Sequence, residues 1–130
     1  MNEAIELHDS EVSGVIAVGT NVRIEFRPAY LHRREEEPGA IVGTGWLQDF
    51  DFVLTDASVI GMFEELPAYV FRGQISIDET TLKNWIPLPL VRSGSVRLKL
   101  EAGMNTVEVI GNSIAVIAIG EATYLEKVPF

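Results

Sequence analysis

The sequence predicts an all-β protein, a single antiparallel β-sandwich of jelly-roll type or a barrel, and three stretches carry that prediction. Val96-Arg97-Leu98-Lys99-Leu100-Glu101 alternates apolar and charged residues, and Thr106-Val107-Glu108-Val109-Ile110 resumes the alternation after a turn containing Gly103. That is the period of two of a strand with one face buried. Val22-Arg23-Ile24-Glu25-Phe26-Arg27 repeats it. In the third stretch Trp46, Phe50, Phe52 and Leu54 fall on one side with Gln48 among them, and Asp49 and Asp51 fall on the other. No segment sustains a helical period.

From the N-terminus, the apolar run Val12 to Val18 meets the turn residues Gly19-Thr20-Asn21, so the chain is expected to fold back into Val22 to Arg27 as a hairpin. After Pro28 the pattern weakens through Tyr30 and His32. Arg33-Arg34-Glu35-Glu36-Glu37-Pro38-Gly39 holds too little apolar surface to be anything but an exposed loop. If that loop joins strands 22–32 and 46–54 as an antiparallel pair, Val22, Ile24 and Phe26 meet Phe50, Phe52 and Leu54, and Arg27 lies beside Asp49 and Asp51. The region 56–66 reads as a bent strand or a short helical turn, ended by Pro67. Tyr69 to Phe71 and Gln74 to Ile77 read as strand interrupted by a bulge at Gly73, and Asp78 to Asn84 as one helical turn. Pro87 and Pro89 keep Ile86 to Leu90 out of any central strand.

The Gly111-Asn112 pair between two apolar runs predicts a hairpin turn that returns the chain through Ile114 to Ile119, completing a C-terminal three-stranded meander. Ile114 to Ile119 is apolar on both faces. It therefore needs cover on both, from Trp85 to Leu90 or from a second subunit.

A chain of 130 residues is expected to form one domain, 1–130, with a core that needs no staples. The absence of cysteine removes disulfides and thiolate chemistry and fits a reducing compartment. The start, Met1-Asn2-Glu3-Ala4, is unlike a secretory signal, and the longest apolar run falls far short of the roughly 20 residues of a membrane helix. A cytoplasmic protein with no membrane partner is expected. The net charge of −9 argues against nucleic acid, whose binding draws on cations set against phosphates. A hydrophobic share of 47% in so acidic a chain suggests either apolar surface buried between subunits, hence a homodimer, or a well-filled single core.

Four stretches, Ile5-Glu6-Leu7-His8-Asp9-Ser10, Gly43-Thr44-Gly45-Trp46-Leu47-Gln48-Asp49, Asn84-Trp85-Ile86-Pro87-Leu88-Pro89-Leu90 and Gly120-Glu121-Ala122-Thr123-Tyr124-Leu125-Glu126, together resemble a family of small all-β bacterial proteins of unknown function. The opening Leu7-His8-Asp9-Ser10 is also similar to the start of immunity-protein-like β domains. The resemblance implies the fold and supplies no activity.

Candidate chemistry is thin. His8-Asp9-Ser10 has the letters of a catalytic triad, but in an extended segment His8 and Ser10 face one way and Asp9 the other, so a hydrogen-bonded turn is the better reading. Asp49 and Asp51 would stand roughly 7 Å apart on one face, a spacing that suits paired acids. With Arg23 and Arg27 on the adjacent strand, a solvated ion-pair face is favoured instead. His8 and His32 sit in no metal-binding frame, so neither a metal nor a cofactor is expected. The best ligand site is a shared face carrying Tyr30, His32, Trp46 and Gln48 near the charged loop. The expected function is a non-catalytic binding or protein-interaction module that self-associates or engages a protein partner. The alternative is a small enzyme or binding protein that takes a sugar or other polar metabolite at those four residues.

Overall fold

The structure is a computed structural model and describes residues 2–34 and 42–129. Its strands are β1 (Asn2–Glu6), β2 (Glu11–Val18), β3 (Asn21–Arg34), β4 (Val42–Thr55), β5 (Ser58–Ile60) and β6 (Ala68–Tyr69), followed by β7 (Arg72–Ile77), β8 (Thr80–Lys83), β9 (Trp85–Leu88), β10 (Val91–Ala102) and β11 (Asn105–Pro129). They form one antiparallel sheet in the order β6-β2-β3-β4-β11-β10-β7-β8; β1 pairs with β3 and β9, and β5 with β11. The described residues contain no helix, and so none long and apolar enough to cross a membrane.

The alternating stretches become the central strands. Ile24 stands opposite Phe52 and Phe26 opposite Phe50, and the Phe26 and Phe52 rings meet at 4.7 Å. Val96, Leu98 and Leu100 point inward from β10, with Val107 and Val109 from β11 and Ile75 and Ile77 from β7. These residues, with Ile5, Leu7, Val12, Leu31 and Ile86, form one hydrophobic cluster. The register from Val22 to Phe26 and the placement of Arg27 beside Asp51 are as expected from face parity: Arg27 Nη2 donates to Asp51 Oδ1 at 2.8 Å.

Several local expectations are corrected. Gly111-Asn112 makes no hairpin; β11 runs through it as one strand of 25 residues. From Asn105 to Ala115 it pairs with β10, and from Ser113 onward it pairs with β4 on its other side, so the third strand of the meander is a continuation of the second. Gly111 is needed for space, because a Cβ there would lie 2.8 Å from the Thr55 carbonyl oxygen and 3.2 Å from Leu54 Cβ. The one C-terminal hairpin turn is at Gly103-Met104, where Gly103 takes φ +59°. Gly73 is not a bulge either: β7 keeps register with β10 through it, and the missing side chain makes room for Leu7 and Leu100. Residues 78–84 form the tight β7–β8 hairpin rather than a helical turn, and within 56–66 the extended alternative holds at β5. Of the expected charged loop 33–39, Arg33 and Arg34 instead extend β3, paired with β1, and residues 35–39 lie outside the described residues.

Inside β3 the register shifts between Phe26 and Ala29, so that Arg27 and Pro28 bulge against Asp49. Proline has no N–H to give the ladder, and a bulge is where a strand tolerates it. Arg27 Nη1 donates to the carbonyls of Phe26 and Phe50, both at 3.0 Å, satisfying acceptors at the break.

Candidate functional site

The bulge decides which residues share a surface. Before it, even-numbered residues of β3 stand opposite even-numbered residues of β4; after it, Ala29 faces Gln48, Tyr30 faces Leu47, Leu31 faces Trp46 and His32 faces Gly45. Tyr30 and His32 thus project from one face of the sheet and Trp46 and Gln48 from the other. The expected four-residue site on one face does not exist, because one extra residue in β3 reverses its side-chain alternation.

On the Tyr30 face, pairing of β1 with β3 and β9 sets Glu6 opposite both Tyr30 and Trp85. The Tyr30 and His32 rings stack at 4.4 Å, and His32 meets the Trp85 ring edge-on at 4.7 Å. His32 Nε2 lies 3.0 Å from Glu6 Oε1, and Asn84 Nδ2 approaches Glu6 Oε2 at 3.5 Å. At the other end the Tyr30 hydroxyl donates to Glu126 Oε1. Burial, the Glu126 hydrogen bond and the nearby carboxylates of Glu126, Glu6 and Asp9 raise the Tyr30 pKa well above the ordinary phenol value, so it is a hydrogen-bond donor and not a base. Gly45 makes the arrangement possible, since a Cβ there would run into the Tyr30 hydroxyl.

The turn leaving β1 holds the triad letters in an unexpected geometry. Asp9 adopts φ +71°, and its N–H bonds the Val70 carbonyl at 3.1 Å. The segment is therefore not extended, and Asp9 swings beside His8, with His8 Nδ1 3.2 Å from Asp9 Oδ2 and 3.8 Å from Glu6 Oε2. Ser10 turns away into full burial, its hydroxyl donating to the Glu6 carbonyl at 2.6 Å and accepting the Tyr30 N–H at 2.9 Å. It is a structural hydroxyl with no line to His8.

On the opposite face Trp46 lies under the Arg33 guanidinium at 4.4 Å and meets the Tyr124 ring edge-on at 5.4 Å. Arg33 is held by Glu3 at 2.7 Å, and Gln48 Nε2 donates to the Gly120 carbonyl at 2.9 Å. Gln48, Arg33 and Glu3 line a cleft of about 420 Å³ floored by Phe50, Leu88 and Val116. Asp49 and Asp51 belong to the Arg27 ion-pair cluster, Asp49 at 4.0 Å and Asp51 at 2.8 Å, with Glu25 also bound at 3.3 Å.

Glu6, Asn84, Trp85 and Glu126 escaped sequence reasoning. Each is remote in the chain from Tyr30 and His32 and reaches them only through β1–β3, β1–β9 and β4–β11 pairing. No protein-family model matches the chain, and no curated protein or solved structure matches it significantly.

Proposed function

We propose that the protein is a non-catalytic interaction module that associates with a second copy of itself along β11. The observation that carries this reading is the free edge of that strand. One side of β11 is covered by β4 and β5. The other is covered by β10 only as far as Ala115, after which the Val116 N–H bonds the Leu90 carbonyl at 3.0 Å. Among the described residues no strand pairs with that side from Ile117 onward. Ile117, Ile119, Tyr124 and Leu125 are exposed along the same stretch.

A long row of unpaired N–H and C=O groups is a template for another strand. Of the other edge strands, β5, β6 and β8 are short, and Pro87 and Pro89 flank Leu88 at the end of β9; β11 itself carries bulges after Ile119 and Tyr124. Residues 116–128 contain no proline. Antiparallel pairing of two identical edges about a two-fold axis is self-complementary.

Sedimentation at micromolar concentration tests the reading. The chain should run at twice its 14.3 kDa. Ala118 follows Val116 by two residues, so its N–H points to the same free side. Ala118→Pro removes that donor while leaving the β4 pairing in place, and the variant should be monomeric. A monomeric wild-type chain refutes self-association, and a proline variant that dimerises as well as the wild type refutes pairing at this edge.

A further inference from the structure

We propose that Glu6, His8 and Asp9 form a binding site for one divalent transition-metal ion. Each residue offers one ligand atom, and the three atoms lie within 4.8 Å of one another. His8 Nδ1 stands 3.2 Å from Asp9 Oδ2 and 3.8 Å from Glu6 Oε2. Two ligands bound to the same ion at about 2.0 to 2.2 Å are themselves separated by roughly 3 to 4 Å in tetrahedral or octahedral geometry. Both His8 distances fall in that range.

The surroundings fix these donors as a metal's outer shell does. Glu6 is oriented by His32 Nε2 on Oε1 and by Asn84 Nδ2 on Oε2. The His8 N–H donates to Asn84 Oδ1 at 2.8 Å, the Leu7 N–H to the Asn84 carbonyl at 2.8 Å, and the Asp9 N–H to the Val70 carbonyl. The backbone carrying the donors is thus tied to two distant segments.

One imidazole nitrogen and two carboxylate oxygens suit zinc, cobalt, nickel or manganese. Calcium is disfavoured because it takes six to eight oxygen ligands, and magnesium because it seldom accepts imidazole. Glu6 and His8 also line a groove of about 520 Å³ with Phe71, Gln74 and Lys83. Arg72 also lines that groove and is engaged by Glu101 at 3.6 Å. The net charge of −9 favours cation uptake overall.

The test is calorimetric titration of the full chain with zinc chloride, repeated with cobalt chloride while the visible absorption is recorded. One ion per chain should bind, with a cobalt spectrum that carries an imidazole ligand. His8→Ala and Asp9→Asn should each weaken binding by about tenfold or more; both side chains are exposed, and melting in chelator verifies that the variants fold. Glu79→Gln, an exposed carboxylate on the β7–β8 turn, should leave the affinity unchanged. No binding of either ion refutes the site, as does undiminished binding by His8→Ala.

Discussion

Truncating Phe52 to Ala should cost far more stability than truncating its neighbour Asp51, although both sit in the middle of β4. Phe52 is fully buried, stands opposite Ile24 on one side and Val116 on the other, and packs its ring against Phe26. Removing a fully buried phenyl ring costs about 3 to 5 kcal/mol from lost transfer energy and the remaining cavity. Loss of the aromatic pair adds about 0.5 to 1.5 kcal/mol and places the expectation in the upper part of that range. Asp51 projects from the other face, its side chain 15% exposed and that of its partner Arg27 27% exposed. Asp51→Ala leaves the guanidinium bound to Glu25 and to the carbonyls of Phe26 and Phe50. The lost bond is then worth about 1 kcal/mol, since the pair is still partly exposed and its cation keeps other acceptors. Urea unfolding at one fixed protein concentration measures both. With a slope of about 1 to 3 kcal/mol per molar, the two midpoints should separate by at least about 1 M. Equal losses at the two positions would show that the buried and exposed faces of β4 are interchanged.

Further outcomes follow from the Tyr30 cluster. Gly45→Ala should destabilise by about 1 to 3 kcal/mol through overpacking against the Tyr30 ring, and Tyr30→Phe should recover part of that loss because the hydroxyl is the nearest atom; additive losses in a double-mutant cycle would contradict the contact. The raised Tyr30 pKa favours the protonated phenol in the folded state, so its stabilisation is complete below the ordinary tyrosine value of about 10 and is lost as the pH rises above it. Alkaline melting curves should therefore fall less steeply with pH for Tyr30→Phe than for the wild type, and identical slopes would count against a buried, carboxylate-bound phenol.

Period-two alternation, by itself, determined the class of fold and the pairing of its central hairpin. Burial on one face and solvent on the other force a residue such as Ile24 to meet Phe52 and leave Arg27 to Asp51. The same logic asks for cover on both faces of Ile114 to Ile119, yet within the single chain Ile117 and Ile119 are exposed. What alternation cannot carry is a change of phase or of partner. Phase changed at Arg27-Pro28, where one extra residue sent Tyr30 and His32 to one face and left Trp46 and Gln48 on the other. Partner changed near Gly111-Asn112, where local chemistry suited a turn, but the chain gained more by continuing straight from β10 to β4 and burying Ile114. The cluster of Glu6, His8, Asp9 and His32 was missed for two reasons: the positive φ at Asp9 turns its carboxylate beside His8, where an extended reading sent it away, and His32 meets Glu6 only through β1–β3 pairing. Local preference is a sum over neighbours in sequence, whereas a site is a juxtaposition of strangers, and the packing that creates it depends on every strand between them.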